Sequence, residues 1–587
     1  MHSTALAALA ALAILVAAPA LAYEPAHLDQ LLATNACVEC DLRAAPLGGV
    51  DLSGAVLDLA DLTRATLTGA QLDDASAIHT TFDMSDAVGA SFARIDAEGA
   101  SFRSAELDDT VFLEARLRRV RFDGAIGQQA NFQGADLRNA SFLQSDFMGA
   151  QFRQANLDRA SALRADFRAA SFTRGTMIGA SFVQCVLDDA TLYSVARYVD
   201  LSGASLVNTD LSETELHRAR FDDAYLHATD LRGAKLHHVD LSVSDFEDPL
   251  LAGADFSYAD LSGMDLEDYD LRGVILRETQ VVGTQLAGAD LSVAQILQTN
   301  LAGLDLHGAS LESATIVDSG FQATNLHGAN LRFVDWNSAG TQLHHVGDLR
   351  YADLTGFVCT GCTFPQLVGL ILDRATLHGC NFDGLWTPSG TGGEPSFYQA
   401  DLTGCSMQDT TLVFNIDEQL YIDMREANLS GVVADGSFWH GINATDATLV
   451  GLSCVGCRFQ GTLHGADLTG ADLRESDSVS DKTWDWTEIT AVGLDLRGAS
   501  HQRIDLRGAD LGGALLTDLQ TESLSFAASD LTGATGLNSI AGIDEPATIG
   551  YCATTLPDGQ SFTSWPFGSG WGGCDEGKRS RLVRTRR

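Results

Sequence analysis

The chain repeats itself every five residues. From Leu42 the series Leu47, Leu52, Leu57, Leu62, Leu67 and Leu72 is unbroken, and it resumes through Phe92, Phe102, Leu107, Phe112, Leu117, Phe122, Phe132, Leu137, Phe142, Phe147, Phe152 and Leu157. Two positions earlier a small residue recurs, as at Ala45, Ala55, Ala60, Ala65, Ala70, Ala125, Ala130 and Ala135. The unit reads Ala-(Asp/Asn)-(Leu/Phe)-x-x. An α-helix, with about 3.6 residues per turn, would scatter such a series around its whole circumference. A long strand fails as well, because residues five apart point to opposite faces. What remains is a chain that turns a corner every few residues, carrying Leu and Ala inward and the other three positions outward. That is a solenoid of short extended segments, in which each coil buries its apolar residues only against its neighbours.

Breaks in the period mark the organisation. The register holds to Leu192 and then moves back by one at Leu201, Leu206, Leu211 and Leu216, which places one missing residue near Arg197 to Asp200. The second register runs to Leu331; Trp336, Gly340, His344 and His345 lie in a break, and a third register starts at Leu349 and Leu354. Two stretches read as projecting loops, Asp383 to Pro395 by its Pro and Gly content and Glu475 to Val492 by its loss of period. Function is usually carried by loops on a regular scaffold. Trp386, Trp484 and Trp486 are therefore candidate interaction residues, against the plainer reading that they pack back on the coil. The expected divisions are 1–22 signal peptide, 23–40 N-terminal cap, 41–198 first register, 199–340 second register, 341–493 interrupted repeats, 494–537 further repeats, 538–577 C-terminal cap and 578–587 basic tail.

The first segment predicts export to the periplasm or beyond. Ala5 to Ala18 is wholly apolar and Ala20-Leu21-Ala22 forms a small-x-small site, so cleavage is expected between Ala22 and Tyr23; the missing Lys or Arg before the apolar run departs from the usual pattern. No later apolar stretch approaches the ~20 residues needed to span a bilayer. With 37 Lys+Arg against 78 Asp+Glu the net charge is −41, which repels a phosphate backbone and argues against nucleic acid as a partner. The expected partner is a protein, cationic if charge guides the contact, and a homodimer is left open. Acidity is uneven: residues 101–200 hold 12 Arg and 12 Asp+Glu, whereas 201–300 hold 6 basic and 18 acidic residues. Carboxylates stacked on successive coils, such as Asp210 with Asp230, Asp240 with Asp260 and Asp270 with Asp290, are expected to repel.

Three cysteine pairs share one spacing and one phase: Cys37/Cys40, Cys359/Cys362 and Cys454/Cys457. The first cysteine takes the Leu position and the second the next Ala position, so both sulfurs should face inward at one corner. In an exported protein local disulfides are expected, with buried thiols as the alternative. A zinc site from Cys359, Cys362, Cys380 and Cys405 is a third reading, although no metal or cofactor is the expectation adopted. Cys185 reads as a small core residue, and the adjacent pairs His237-His238 and His344-His345 diverge too much to share an ion.

Segments such as Ala-Asp-Leu-Arg-Asn at 135–139 and Ala-Asp-Leu-Ser-Gly at 259–263 resemble the pentapeptide-repeat family, densely over about 41–340 and with interruptions over 349–475 and 494–533. The resemblance implies an all-β solenoid, a right-handed quadrilateral β-helix with four pentapeptides per coil. Phe92, Phe112, Phe132, Phe152 and Phe172, and likewise Phe82, Phe102, Phe122 and Phe142, would then form two stacked inner columns. The segment Cys552 to Gly559 resembles the terminal Cys-x-Thr-x-x-Pro-Asp-Gly element of many family members, which favours a closing Cys552–Cys574 disulfide. The sequence holds no nucleophile elbow, phosphate-binding loop, zinc-protease helix or dinucleotide fingerprint. The expectation is a non-catalytic, exported scaffold for structure or protein interaction. The alternative that the resemblance suggests, an acidic DNA mimic of the gyrase-protecting type, applies if the N-terminus is not a signal peptide.

Overall fold

A computed structural model of the chain describes residues 23–336, 346–360, 362–364, 367, 370–385, 395–413, 422–478, 484–521, 523–526, 528–537, 540, 549–550, 554–555 and 561–562. Two compact units result, one of residues up to Val239 together with Val243–Leu250, the other of Asp240–Ser242 together with residues from Leu251 onward.

In the first unit the five-residue period becomes a coil of four short sides. Asp41 bridges Asp61, Pro46 bridges Thr66, Asp51 bridges Gln71 and Val56 bridges Ser76, all parallel and all 20 residues on, so four repeats close one coil. Each side hydrogen-bonds both ways: the Asp61 N–H donates to the Cys40 carbonyl below at 2.8 Å, and the Leu42 N–H donates to the Asp61 carbonyl above at 2.8 Å. Corners close with the Ala45 N–H donating to the Leu42 carbonyl at 3.0 Å. The residue before the donor adopts φ of about +50 to +70° whether it is Ala44 (54°), Arg64 (60°), Asn139 (58°) or Gly49 (67°), as the third residue of a type II turn requires. Leu and Ala positions point inward, and Leu42, Ala45, Leu47, Ala55 and Leu57 are fully buried.

Phenylalanines fill the middle of this unit as the 20-residue spacing foretells. Phe92, Phe112, Phe132, Phe152 and Phe172 stack nearly parallel with ring centres 4.8–5.0 Å apart. Phe82, Phe102, Phe122 and Phe142 form a second column at 4.5–5.4 Å. The columns meet edge to face, Phe92 against Phe102 at 5.7 Å and 89°, the geometry that the charge distribution of aromatic rings favours.

The register change lies five residues earlier than the sequence suggests. Thr176 bridges Val195, 19 residues on, so the short repeat is Thr191-Leu192-Tyr193-Ser194. Ala196 then takes the inward place normally held by Leu or Phe and is fully buried. With no large residue there, the shift becomes visible in the sequence only at Leu201.

A helix, α1 (Pro25–Thr34), precedes the first coil. Pro25 stands at its first turn, where a missing N–H costs nothing, and Asn35 ends it with φ 53° and its N–H on the Leu31 carbonyl. The helix covers the rim of the ladder: the Asp41 N–H donates to His27 Nδ1 at 3.0 Å, and the Glu24 N–H donates to the Asp41 carbonyl at 3.1 Å. A cap over 23–40 was expected, but its helical form was not.

The second unit repeats the coil with longer strands, including a six-strand parallel ladder that runs from Ile275–Arg277 to Thr376–His378. Its core holds a water-sized void of about 10 Å³ lined by Phe256, Leu261, Leu266, Leu271 and Val274. No helix among the described residues is long and apolar enough to cross a membrane.

Candidate functional site

The outward aspartates stack as the sequence reading expects, Asp210 on Asp230, Asp240 on Asp260 and Asp270 on Asp290, and their carboxylates are held by local hydrogen bonds. Many of these Asp side chains accept the backbone N–H two residues on: Asp210 from Ser212 at 2.9 Å, Asp240 from Ser242 at 3.0 Å, Asp260 from Ser262 at 2.9 Å and Asp290 from Ser292 at 3.0 Å. Where that residue is Arg, its guanidinium folds back on the same carboxylate, as in Arg43–Asp41, Arg138–Asp136, Arg232–Asp230 and Arg272–Asp270, each at 2.6 Å. The side-chain hydrogen bond from Arg43 holds the Asp41 carboxyl below the usual range, and Arg474 and Arg497 do the same for Asp472 and Asp495. Acidity in the repeat is thus mostly local turn chemistry.

All three Cys-x-x-Cys pairs have their sulfurs at bonding distance, with Cα separations of 5.4, 6.1 and 5.4 Å for Cys37–Cys40, Cys359–Cys362 and Cys454–Cys457. Cys185 is buried with its thiol on the Ala162 carbonyl, and burial pushes its pKa up to about 12. It fills the place that Thr209 and Thr229 fill elsewhere, whose hydroxyls donate to Leu187 and Leu206 carbonyls one coil below. The Cys552 and Cys574 pair lies outside the described residues, as do His344 and His345. His237 stacks on His217 at 4.4 Å, while His238 occupies a left-handed corner with φ 56°. Burial, then the neighbouring His237, lower the pKa of His217.

The proposed tryptophan loops divide three ways. Trp386 falls outside the described residues. Trp484 and Asp485 form a short strand. Trp486 is a correction: it sits fully buried at the inward position after Asp485, with Ile489 and Ala491 continuing the inward series. The excursion is therefore not Glu475 to Val492 but the span between Ser478 and Trp484, since Asp477 still bridges Arg458 and Thr490 bridges Asp467. The spacing Asp485-Trp486 with Ile489-Thr490-Ala491 carried that signal, with Trp standing in for Leu.

A feature missed in the sequence emerges from coil lengths. The bridged pairs Ile371/Ser396, Ser396/Asp423 and Thr462/Asp485 are 25, 27 and 23 residues apart instead of 20. In these three coils the extra residues enter on one side of the second unit, whereas the 23-residue coil from Asn325 to Asp348 gains its extra residues elsewhere, between Trp336 and Val346. The three insertions on the shared side fall between Leu385 and Ser396, between Val413 and Ile422, and between Ser478 and Trp484, each after the ladder of Thr411, Phe438, Arg458 and Asp477 and before that of Ser396, Asp423, Asn443, Thr462 and Asp485. Two intervening coils cross the same side as unusually long strands, Phe438–Asn443 and Arg458–Thr462. On them the outward-facing His440 and Gln460 are each only 8% exposed, unlike most outward positions.

Comparison with known proteins agrees with this architecture. The family description "Pentapeptide repeats" matches in 8 copies, over residues 40–76, 88–124, 128–161, 197–233, 209–248 and 250–292. The chain's repeats between residues 40 and 292 are pentapeptide repeats. Among solved pentapeptide-repeat structures, HetL of the cyanobacterium Nostoc sp. strain PCC 7120, involved in heterocyst differentiation regulation, is 27% identical over 37% of this chain and 89% of its own, with a TM-score of 0.21. QnrB1, a plasmid-mediated fluoroquinolone resistance protein, is 22% identical over 38% of this chain and 90% of its own, with a TM-score of 0.18. A pentapeptide-repeat protein of the Arabidopsis thaliana thylakoid lumen is 26% identical over 19% of this chain and 66% of its own, with a TM-score of 0.11. Similarity at these TM-scores carries no functional argument. No curated protein sequence matches the chain. The matched pentapeptides end at residue 292, and the three insertions lie beyond it.

Proposed function

We propose that this pentapeptide-repeat protein is an exported, non-catalytic scaffold that binds a protein partner through the insertion-bearing side of its second unit. The observation that carries the reading is that three of the lengthened coils, those from Ile371 to Ser396, Ser396 to Asp423 and Thr462 to Asp485, take their extra residues on the same side. Insertions gathered on one side of a regular scaffold are a usual arrangement of a recognition surface. Export rests on the apolar segment and the Ala20-Leu21-Ala22 site, and the three Cys-x-x-Cys disulfides suit an oxidising compartment. The Arg clamps on Asp41, Asp136, Asp230 and Asp270 weaken the DNA-mimic alternative, which needs bare acidic faces.

Two experiments test the proposal. Fractionation with N-terminal sequencing of the full chain should yield a mature protein outside the cytoplasm starting at Tyr23; an uncleaved cytoplasmic chain overturns export. Affinity capture with the intact protein, and with a variant whose 386–394, 414–421 and 479–483 segments are shortened to ordinary repeat length, should recover the partner only on the intact form. Equal recovery removes this side as the binding surface.

A further inference from the structure

Cysteine gathers at one inward column of the second unit beyond what a Cys-x-x-Cys disulfide needs. The bridges Thr363/Asn381 and Asn381/Ser406 place Cys362, Cys380 and Cys405 directly above one another on successive coils. Cys359 stands beside the lowest of them, paired with Leu377. All four are buried. The sulfurs of Cys359, Cys362 and Cys380 lie within 4.8 Å of one another, the single group of three potential metal ligands among the described residues. Cys405 adjoins them, its Sγ accepting the Cys380 N–H at 3.3 Å.

The other two Cys-x-x-Cys pairs lack this company. The residue above Cys40 is Ala60 and that above Cys457 is Ser476, as the bridges Asp41/Asp61 and Arg458/Asp477 show. The column itself does not call for sulfur, since Ala is its ordinary occupant in this repeat.

We propose that Cys359, Cys362 and Cys380, with Cys405 as fourth donor, form a buried tetrahedral thiolate site for one Zn²⁺ ion when the Cys359–Cys362 pair is in its dithiol state. Zn–S bonds of about 2.3 Å set the sulfurs of such a site roughly 3.8 Å apart, so Cys380 needs to close by no more than about 1 Å on the sulfurs of the opened disulfide, which move apart, while the Cys405 thiol leaves the Leu377 carbonyl on which it rests. Opening the disulfide consumes two equivalents of a small thiol reductant. Two electrons and two protons pass to Cys359 and Cys362, and the reductant leaves as its own disulfide. Zinc then displaces one proton to solvent from each sulfur it binds. Disulfide and metal are alternative occupants of one corner, selected by the redox state of the compartment.

The test uses the full chain and its Cys380→Ala variant, which restores the usual residue of the column and so preserves packing. Both are reduced with a monothiol, freed of reductant under anaerobic conditions, given two equivalents of Zn²⁺ and gel-filtered, and bound zinc is measured. Reduced wild type should retain one more zinc per chain than reduced Cys380→Ala or oxidised wild type, while Cys185→Ala should retain as much as wild type. Equal zinc on wild type and Cys380→Ala, or an equal loss in Cys185→Ala, overturns the proposal. Co²⁺ added to the reduced wild type gives a second reading that needs no variant: intense tetrahedral and thiolate-to-cobalt absorption is expected, and an octahedral spectrum alone overturns the site.

Discussion

A histidine occupies a Leu position at residue 501, fully inside the second unit, with Ser476 Oγ at 3.0 Å and Trp486 nearby. Burial holds its pKa down to about 4. The folded state therefore keeps the ring neutral, whereas the unfolded chain takes a proton below about 6.5. Because the unfolded state binds more protons between those values, stability is full above pH 6.5 and is lost as pH falls toward 4, by about 3 kcal/mol. His501→Leu should flatten the fall in melting temperature between pH 7 and pH 4.5, followed by tryptophan fluorescence; an unchanged slope would show that other groups govern it. Sequence reading passed over His501 because one polar residue in an apolar series looks like a break. It also misassigned Trp486, where a loop-like composition outweighed a spacing that was correct.

At the level of one coil, the five-residue period shows which residues face inward and, through the phenylalanine spacing, how they stack. The identity of each corner residue is another matter. Arg64, Asn139 and Leu59 all hold the left-handed conformation that glycine adopts most easily, so composition cannot mark the corner and only the hydrogen-bonded coil fixes it. Helix α1 was hidden for a different reason, being 10 residues long and too short for a helical period to stand out. Consensus alone can mislead here. Gly127 occupies an inward Leu position, yet a Cβ built on it would come within 2.3 Å of Phe147 Cε1 on the coil above. Phe147 thus fills the space of two residues. Gly127→Leu, though it restores the repeat, should lower stability by about 1–3 kcal/mol, measured by thermal melting; a neutral or stabilising result would mean that Phe147 swings clear.

Across the whole chain, contacts between neighbouring coils make stability a sum of local terms, so a defect need not spread. All seven tryptophans lie at or after Trp336, so none belongs to the unit that holds the phenylalanine columns. Phe132→Ala removes a ring stacked at 4.9 and 4.8 Å on its two column neighbours and should cost about 3–5 kcal/mol. Its denaturant midpoint by far-ultraviolet dichroism should fall, while the tryptophan transition stays in place; a joint shift would show one cooperative block. The charge of −41 belongs to this scale, and it says little about partners once the Asp turns are counted.

The rim under helix α1 has one more consequence. A parallel ladder ends in a row of amide and carbonyl groups that any extended chain can dock onto, and here His27 and Glu24 occupy the partners of Asp41 before a second molecule can. Sealing that edge keeps the solenoid from acting as a seed. A chain beginning at Ala36 should therefore grow by addition at the bared rim, with light scattering that rises with protein concentration and shows a lag abolished by preformed fragments. If it stays monomeric at the concentrations where the intact protein does, the helix is a packing element and not a stopper.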